Sequence, residues 1–140
     1  MTEAAFKAMI KRHELAEWAN VHGQVYYGTP RAFLETMLAK GKDVLLDIDV
    51  QGALQVKRRY PKAILIFIPA PCFAEMERRL RSRSSETESQ IRQRLADARH
   101  ELKFKGQYDY NVVNDRLPAA LKRLEAILNA ESRTISENNL

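Results

Sequence analysis

The sequence predicts an α/β fold, a parallel sheet flanked by helices. Two observations carry this. The first is a set of continuous apolar runs at residues 44–49, 64–68 and 111–113, the pattern of strands buried on both faces. The second is that stretches of helical spacing separate these runs, at about 51–59, 74–81 and 88–103.

The elements follow in order. Thr2 can cap a helix that carries Phe6, Met9 and Ile10 on one face. Residues 15–27 alternate, are rich in aromatic and β-branched side chains, and end at Gly28, which predicts two short strands with a turn near Gly23. Thr29-Pro30 reads as a helix start, a capping hydroxyl followed by proline at the first helical position. Phe33, Leu34, Met37 and Leu38 would form the apolar face of that helix, and Gly41 stands where a C-terminal glycine belongs. A last helix carries Leu117, Leu121, Leu124 and Leu128 and turns polar from about Ser132, where fraying is expected. No internal repeat, low-complexity tract or interdomain linker interrupts the 140 residues, a length that suits one domain.

Composition narrows the function classes. Hydrophobic residues make up 45% and charged residues 29%, ordinary values for a globular domain. The net charge of +5 suits a polyanionic small molecule or a mildly basic surface. The few aromatics are not interleaved with the basic runs, which argues against a nucleic-acid platform. No apolar run approaches membrane-spanning length, so no membrane role and a cytoplasmic location are expected. Cys72 is the single cysteine and reads as a structural thiol. His13, His22 and His100 share no metal-ligand spacing.

Three constellations could carry chemistry. Asp47 and Asp49 end the first apolar run, and as alternate residues of a strand they would share a face. Acids there can accept hydrogen bonds from a purine amino group or hold a hydrated magnesium ion, and they equally fit a solvated strand terminus. Arg78, Arg79, Arg81, Arg83, Arg92 and Arg94 form a basic cluster interrupted by serine and threonine. Guanidinium groups on a mobile connection suit phosphoryl transfer, because each can bind two phosphate oxygens. A solvated basic helix explains the same pattern. Glu17, Tyr26, Tyr27 and Thr29 could line a polar pocket for a base and a phosphate, with Trp18 as packing.

Taken in order, Glu17-Trp18-Ala19, Tyr26-Tyr27-Gly28-Thr29, Leu46-Asp47-Ile48-Asp49-Val50-Gln51-Gly52, Arg79-Leu80-Arg81-Ser82-Arg83, Arg94-Leu95 and Val112-Val113-Asn114-Asp115 resemble the guanylate kinase family. The resemblance covers nearly the whole chain. It implies ATP-dependent phosphorylation of GMP to GDP with magnesium, a small β-rich GMP-binding insertion at about 12–29 and a helical lid at about 82–90. It also implies roles. Glu17 and Asp49 would bind the guanine edge with help from Thr29, and Tyr27 would reach the GMP phosphate. Asp47 would sit near magnesium, through water rather than by direct ligation. Arg79, Arg83 and Arg94 would clamp the transferring phosphoryl group, and Asn114 would lie beside adenine.

One family feature does not occur in these residues. The strand, G-x-x-x-x-G-K-[ST] loop and helix that cradle the ATP phosphates have no counterpart; Gly41-Lys42 is followed by Asp43 and preceded five positions earlier by Thr36. The expectation is therefore an incomplete P-loop-type sheet, truncated at its N-terminal side, with little or no turnover by the chain alone. The gap would be filled by direct pairing of the runs at 44–49 and 64–68 or by a strand from a second copy, or else the chain would be only marginally folded. The alternative is a non-catalytic guanylate-kinase-like module that binds a peptide or phosphopeptide.

Overall fold

The computed structural model describes residues 1–21, 25–82 and 86–137, with side chains to residue 132. The expected turn at Gly23 and the lid arginine Arg83 lie outside the described residues. The chain forms two compact units, Met1–Leu65 and Ile66–Leu140.

The first unit is built around a hairpin. Helix α1 (Glu3–Lys11) starts at Thr2, whose hydroxyl accepts the Ala5 N–H at 3.3 Å. Strands β1 (Leu15–Val21) and β2 (Val25–Pro30) pair antiparallel, with Glu17 opposite Thr29 and Ala19 opposite Tyr27. Leu15, Ala16, Glu17 and Ala19 of β1 are buried, because α1, α2 and α3 all pack on that strand. Phe6 and Trp18 both stack near Tyr26, ring centroids 5.5 and 6.3 Å away. Trp18 is thus packing, as expected from the sequence. Gly28 lets this cluster close: a Cβ there would lie 2.8 Å from the Glu17 carbonyl oxygen and 3.0 Å from Phe6.

Helix α2 (Arg31–Ala39) departs from its sequence reading at the start. Its N-cap is Pro30, without a side-chain cap bond, and the Thr29 hydroxyl is used elsewhere. Its end is as expected. Gly41 has φ +68°, and bonds from Gly41 N–H to the Leu38 carbonyl and from Lys42 N–H to the Met37 carbonyl close a Schellman motif. Of the four apolar residues on its face only Leu34 is buried, while Phe33 and Leu38 stay exposed.

Residues 42–49 carry no strand, which corrects the strand expected at 44–49. Leu45 is 78% exposed. A strand exists only where a neighbour accepts from its backbone N–H groups and donates to its C=O groups, and among the described residues none forms a ladder here. Helix α3 (Val50–Arg59) follows, capped by Asp49, whose Oδ1 accepts the Gly52 N–H at 2.9 Å. It buries Val50, Gly52, Ala53 and Val56, while Lys57, Arg58 and Arg59 complement the negative end of its dipole.

The second unit holds β3 (Ile66–Phe67) and β4 (Tyr110–Asn111), paired parallel as expected, though shorter than the apolar runs. Bonds from Val112 N–H to the Phe67 carbonyl and from Asn114 N–H to the Pro69 carbonyl continue the pairing. Between them run α4 (Phe73–Ser82) and α5 (Glu88–Glu101), then a 3-10 turn at Leu102–Gln107 that ends α5 two residues before the expected Lys103. A capping box of Thr87 and Gln90 starts α5. The last helix, α6 (Leu117–Glu137), runs past Ser132, where fraying was expected.

Candidate functional site

The register of the hairpin assembles the site in the first unit. Glu17, Ala19 and Val21 alternate along β1, so they share a face, and cross-strand pairing sets Thr29 beside Glu17 and Tyr27 beside Ala19 on it. Asp47, Ile48 and Asp49 complete a cleft of about 310 Å³ lined by Glu17, Ala19, Val21 and Tyr27. Three of the four GMP-site residues expected from the sequence, Glu17, Tyr27 and Asp49, line it beside Asp47, and Thr29 joins through its bond to Glu17. The pairing of Asp47 with Asp49 survives the loss of the strand.

Glu17 is the centre. Its side chain is buried, with the residue 3% exposed, and its Oε1 accepts the Thr29 hydroxyl at 2.6 Å. Its Oε2 lies against the first turn of α3, where a Cβ on residue 52 would fall 2.5 Å away. Gly52 therefore allows the carboxylate to approach the helix N-terminus, whose partial positive charge favours an anion. Thr29 serves Glu17 rather than α2.

Asp49 has a double use. Oδ1 caps α3, and Oδ2 takes a longer bond, 3.3 Å, from the Gln51 amide, so that oxygen retains acceptor capacity toward the cleft. Among the described residues, the Asp47 carboxylate and the Tyr27 hydroxyl have no hydrogen-bond or ion partner, and both residues are exposed.

Sequence reasoning missed what holds this cleft in shape. The Gln55 amide donates to the Trp18 carbonyl at 2.6 Å and accepts the Trp18 N–H at 3.3 Å, standing in for a neighbouring strand on the free edge of β1. Arg59 donates to the carbonyls of Leu15 and Ala16. A fixed spacing of four residues between Gln55 and Arg59 was legible, but not that both would face a strand edge.

In the second unit Arg78, Arg79, Arg81 and Arg94 are already paired. Arg79 donates through Nε to Glu75 at 2.7 Å and through its two terminal nitrogens to the carbonyls of Asn114 and Asp115, at 2.9 and 3.2 Å. This brings Arg79 and Asn114 together. Arg78 grips the same Glu75 with two bonds of 2.7 Å. Bonds from Arg78 and then Arg79 hold the Glu75 carboxyl down at about 2. Arg81 bridges Glu77 and Glu88, and its bonds to Glu88 and Glu77 raise its pKa. Arg94 forms a 3.0 Å ion pair with Glu86.

The guanylate kinase family model matches residues 1–131. The chain belongs to the guanylate kinase family. It is 44% identical to a guanylate kinase of Desulfitobacterium hafniense over 90% of this chain and 62% of that protein. With the guanylate kinase of Thermotoga maritima it shares 41% identity over 99% of this chain and 66% of the relative. The crystal structure of guanylate kinase from Anaplasma phagocytophilum superposes with a TM-score of 0.76 at 31% identity, covering 94% of this chain and 62% of that one. The fold is thus guanylate-kinase-like α/β, and the chain spans roughly three fifths to two thirds of the length of these guanylate kinases.

Among the described residues no group of three metal-ligating side chains occurs, and no helix is long and apolar enough to cross a membrane.

Proposed function

We propose that this guanylate kinase chain supplies the GMP-binding cleft and the phosphoryl-clamping arginines of ATP-dependent GMP phosphorylation. The observation that carries the reading is Glu17, a carboxylate buried in the wall of a cleft and oriented by the Thr29 hydroxyl. A fixed acceptor of this kind matches the N1–H and amino donors on the edge of guanine, and Asp49 Oδ2 offers a second acceptor beside it. Adenine presents an unprotonated N1 at that edge, so a lone pair would face the buried carboxylate where guanine offers a donor. The exposed Tyr27 hydroxyl, which has no partner among the described residues, is available to the acceptor phosphate.

Magnesium enters with ATP. It keeps most of its waters and takes one or two carboxylates, which fits the exposed, unpartnered Asp47 as a contact through water. The ion offsets charge on the donor phosphates when bound. Arg79, Arg83 and Arg94 are the proposed clamp, and Asn114, tied to Arg79, is the proposed neighbour of adenine. The backbone cradle for the donor phosphates is not among these residues, so the chain alone should show little or no turnover.

Calorimetric titration with GMP tests the reading, followed by an assay of ATP-dependent ADP formation by this chain and by the chain joined to a family strand–phosphate-loop–helix segment. The expected dissociation constant for GMP is about 1–100 μM, in the usual substrate range. Turnover is expected only in the extended form. Glu17→Gln should weaken GMP about 100-fold, the worth of a charge-assisted pair of hydrogen bonds. Failure of both forms to bind GMP overturns the proposal.

A further inference from the structure

The arginines of the second unit are not equivalent, and the difference singles out a residue with no assigned role. Arg79 spends donors of all three of its nitrogens on Glu75 and on the carbonyls of Asn114 and Asp115. Arg81 spends its fork on Glu77 and Glu88. Arg94 is different. It pairs through one terminal nitrogen with Glu86 Oε1, and its side chain remains 41% exposed, leaving Nε and the other terminal nitrogen for an incoming anion.

Glu86 is the unusual member. Its side chain is only 10% exposed, and its Oε2 is buried without a donor among the described residues. It stands immediately before Thr87, whose capping box with Gln90 fixes the backbone there. The positive end of the α5 dipole favours a carboxylate at this position. Among the described residues Arg94 is the ion partner of this acid, so separating the pair would strand a buried charge. That tether keeps the guanidinium from rotating freely and restricts an incoming anion to its other edge.

We propose that Glu86 is the positioning residue for Arg94, holding its free guanidinium edge toward a polyphosphate. This rests on the reading of the arginine cluster as a phosphoryl clamp. Arg94 makes the anion contact, and Glu86 acts only through Arg94.

A double-mutant cycle with inorganic tripolyphosphate as the probe tests this, read by calorimetry on the full chain at fixed ionic strength. Arg94→Ala should weaken binding about tenfold, and Glu86→Gln about fivefold with Arg94 present. In the Arg94→Ala background, Glu86→Gln should change affinity by less than about 1.5-fold. Glu86→Asp, which keeps the charge on a shorter side chain, should fall between wild type and Glu86→Gln, and it serves as the second variant if thermal melting shows that Glu86→Gln does not fold. Two results would overturn the proposal while leaving the clamp reading intact: an equal loss in both backgrounds, which marks a purely structural acid, or tighter binding by Glu86→Gln, which marks a competitor for Arg94. No tripolyphosphate binding by the unsubstituted chain would overturn both. The acceptor cleft is read separately, by GMP affinity.

Discussion

The two halves of this kinase chain handle charge in opposite ways. In the acceptor cleft, Glu17 is buried, oriented by a neutral hydroxyl and a glycine, while Asp47 and Tyr27 face the cleft without partners. In the arginine region Arg79 and Arg94 each already have an anionic partner, Glu75 and Glu86. The first arrangement is preorganised, since its acceptors are aimed before any ligand arrives and need no partner exchange. The second holds its cations on protein anions before any ligand arrives. A phosphate oxygen must displace a protein oxygen on Arg79, or use the donors left over on Arg94 while Glu86 keeps hold of it. A binding pocket gains specificity from preorganisation of the first kind.

The sharpest way to break this contrast is at Gly52. Alanine would normally favour a helix, but its Cβ would meet Glu17 Oε2 at 2.5 Å and Ile48 Cβ at 3.3 Å. Gly52→Ala should therefore cost about 2 kcal/mol in chemical denaturation through overpacking. It should also weaken GMP, because the carboxylate must turn away from its aim. Unchanged stability and unchanged GMP affinity would show that Glu17 is not pinned, and the cleft would lose its claim to preorganisation.

Gln55→Ala probes the same rigidity from behind. It leaves the Trp18 N–H and carbonyl without their strand-like partner, which should cost roughly 1–2 kcal/mol of stability. GMP affinity should fall less than in Gly52→Ala, since the substitution loosens β1 without touching the carboxylate.

The smallest effect belongs to the paired region. Glu75 titrates at about 2 rather than at its ordinary 4.5, chiefly through its hydrogen bonds from Arg78 and Arg79. A carboxyl whose pKa falls on folding stabilises the fold above its ordinary value and loses that contribution as pH drops toward the folded value. Melting temperature should thus fall between pH 4.5 and 2 with a component that Glu75→Gln lacks. The difference is at its full size near neutral pH and shrinks on acidification, and it should stay modest because the Arg78 side chain is 67% exposed. A large loss at pH 7 in Glu75→Gln would mean that this region is as rigidly built as the cleft, and the contrast would fail.

Much of this was legible along the chain. Local signals fixed the Thr2 cap, the Gly41 helix end, and the parallel character of the strands at Ile66–Phe67 and Tyr110–Asn111, because caps, left-handed glycines and apolar runs depend on neighbours a few residues away. The ordered motifs fixed the family and the acids of the cleft. What failed locally was decided by distant partners. Residues 44–49 have the composition of a buried strand, yet none forms there among the described residues, since a strand requires a second strand. Thr29 has the position of a helix cap, yet its hydroxyl goes to Glu17, which faces it across the hairpin. Gln55, Arg59 and Gly52 gained their roles only when α3 met β1, and Glu86 only when its carboxylate folded back to Arg94. The sequence alone therefore determined which chemical groups this chain owns and the helix ends that local residues set, such as those at Thr2 and Gly41. The tertiary structure decided which of those groups are held, which are free and which way they point, because a hydrogen bond goes to the partner that folding brings within reach, not to the nearest one along the chain.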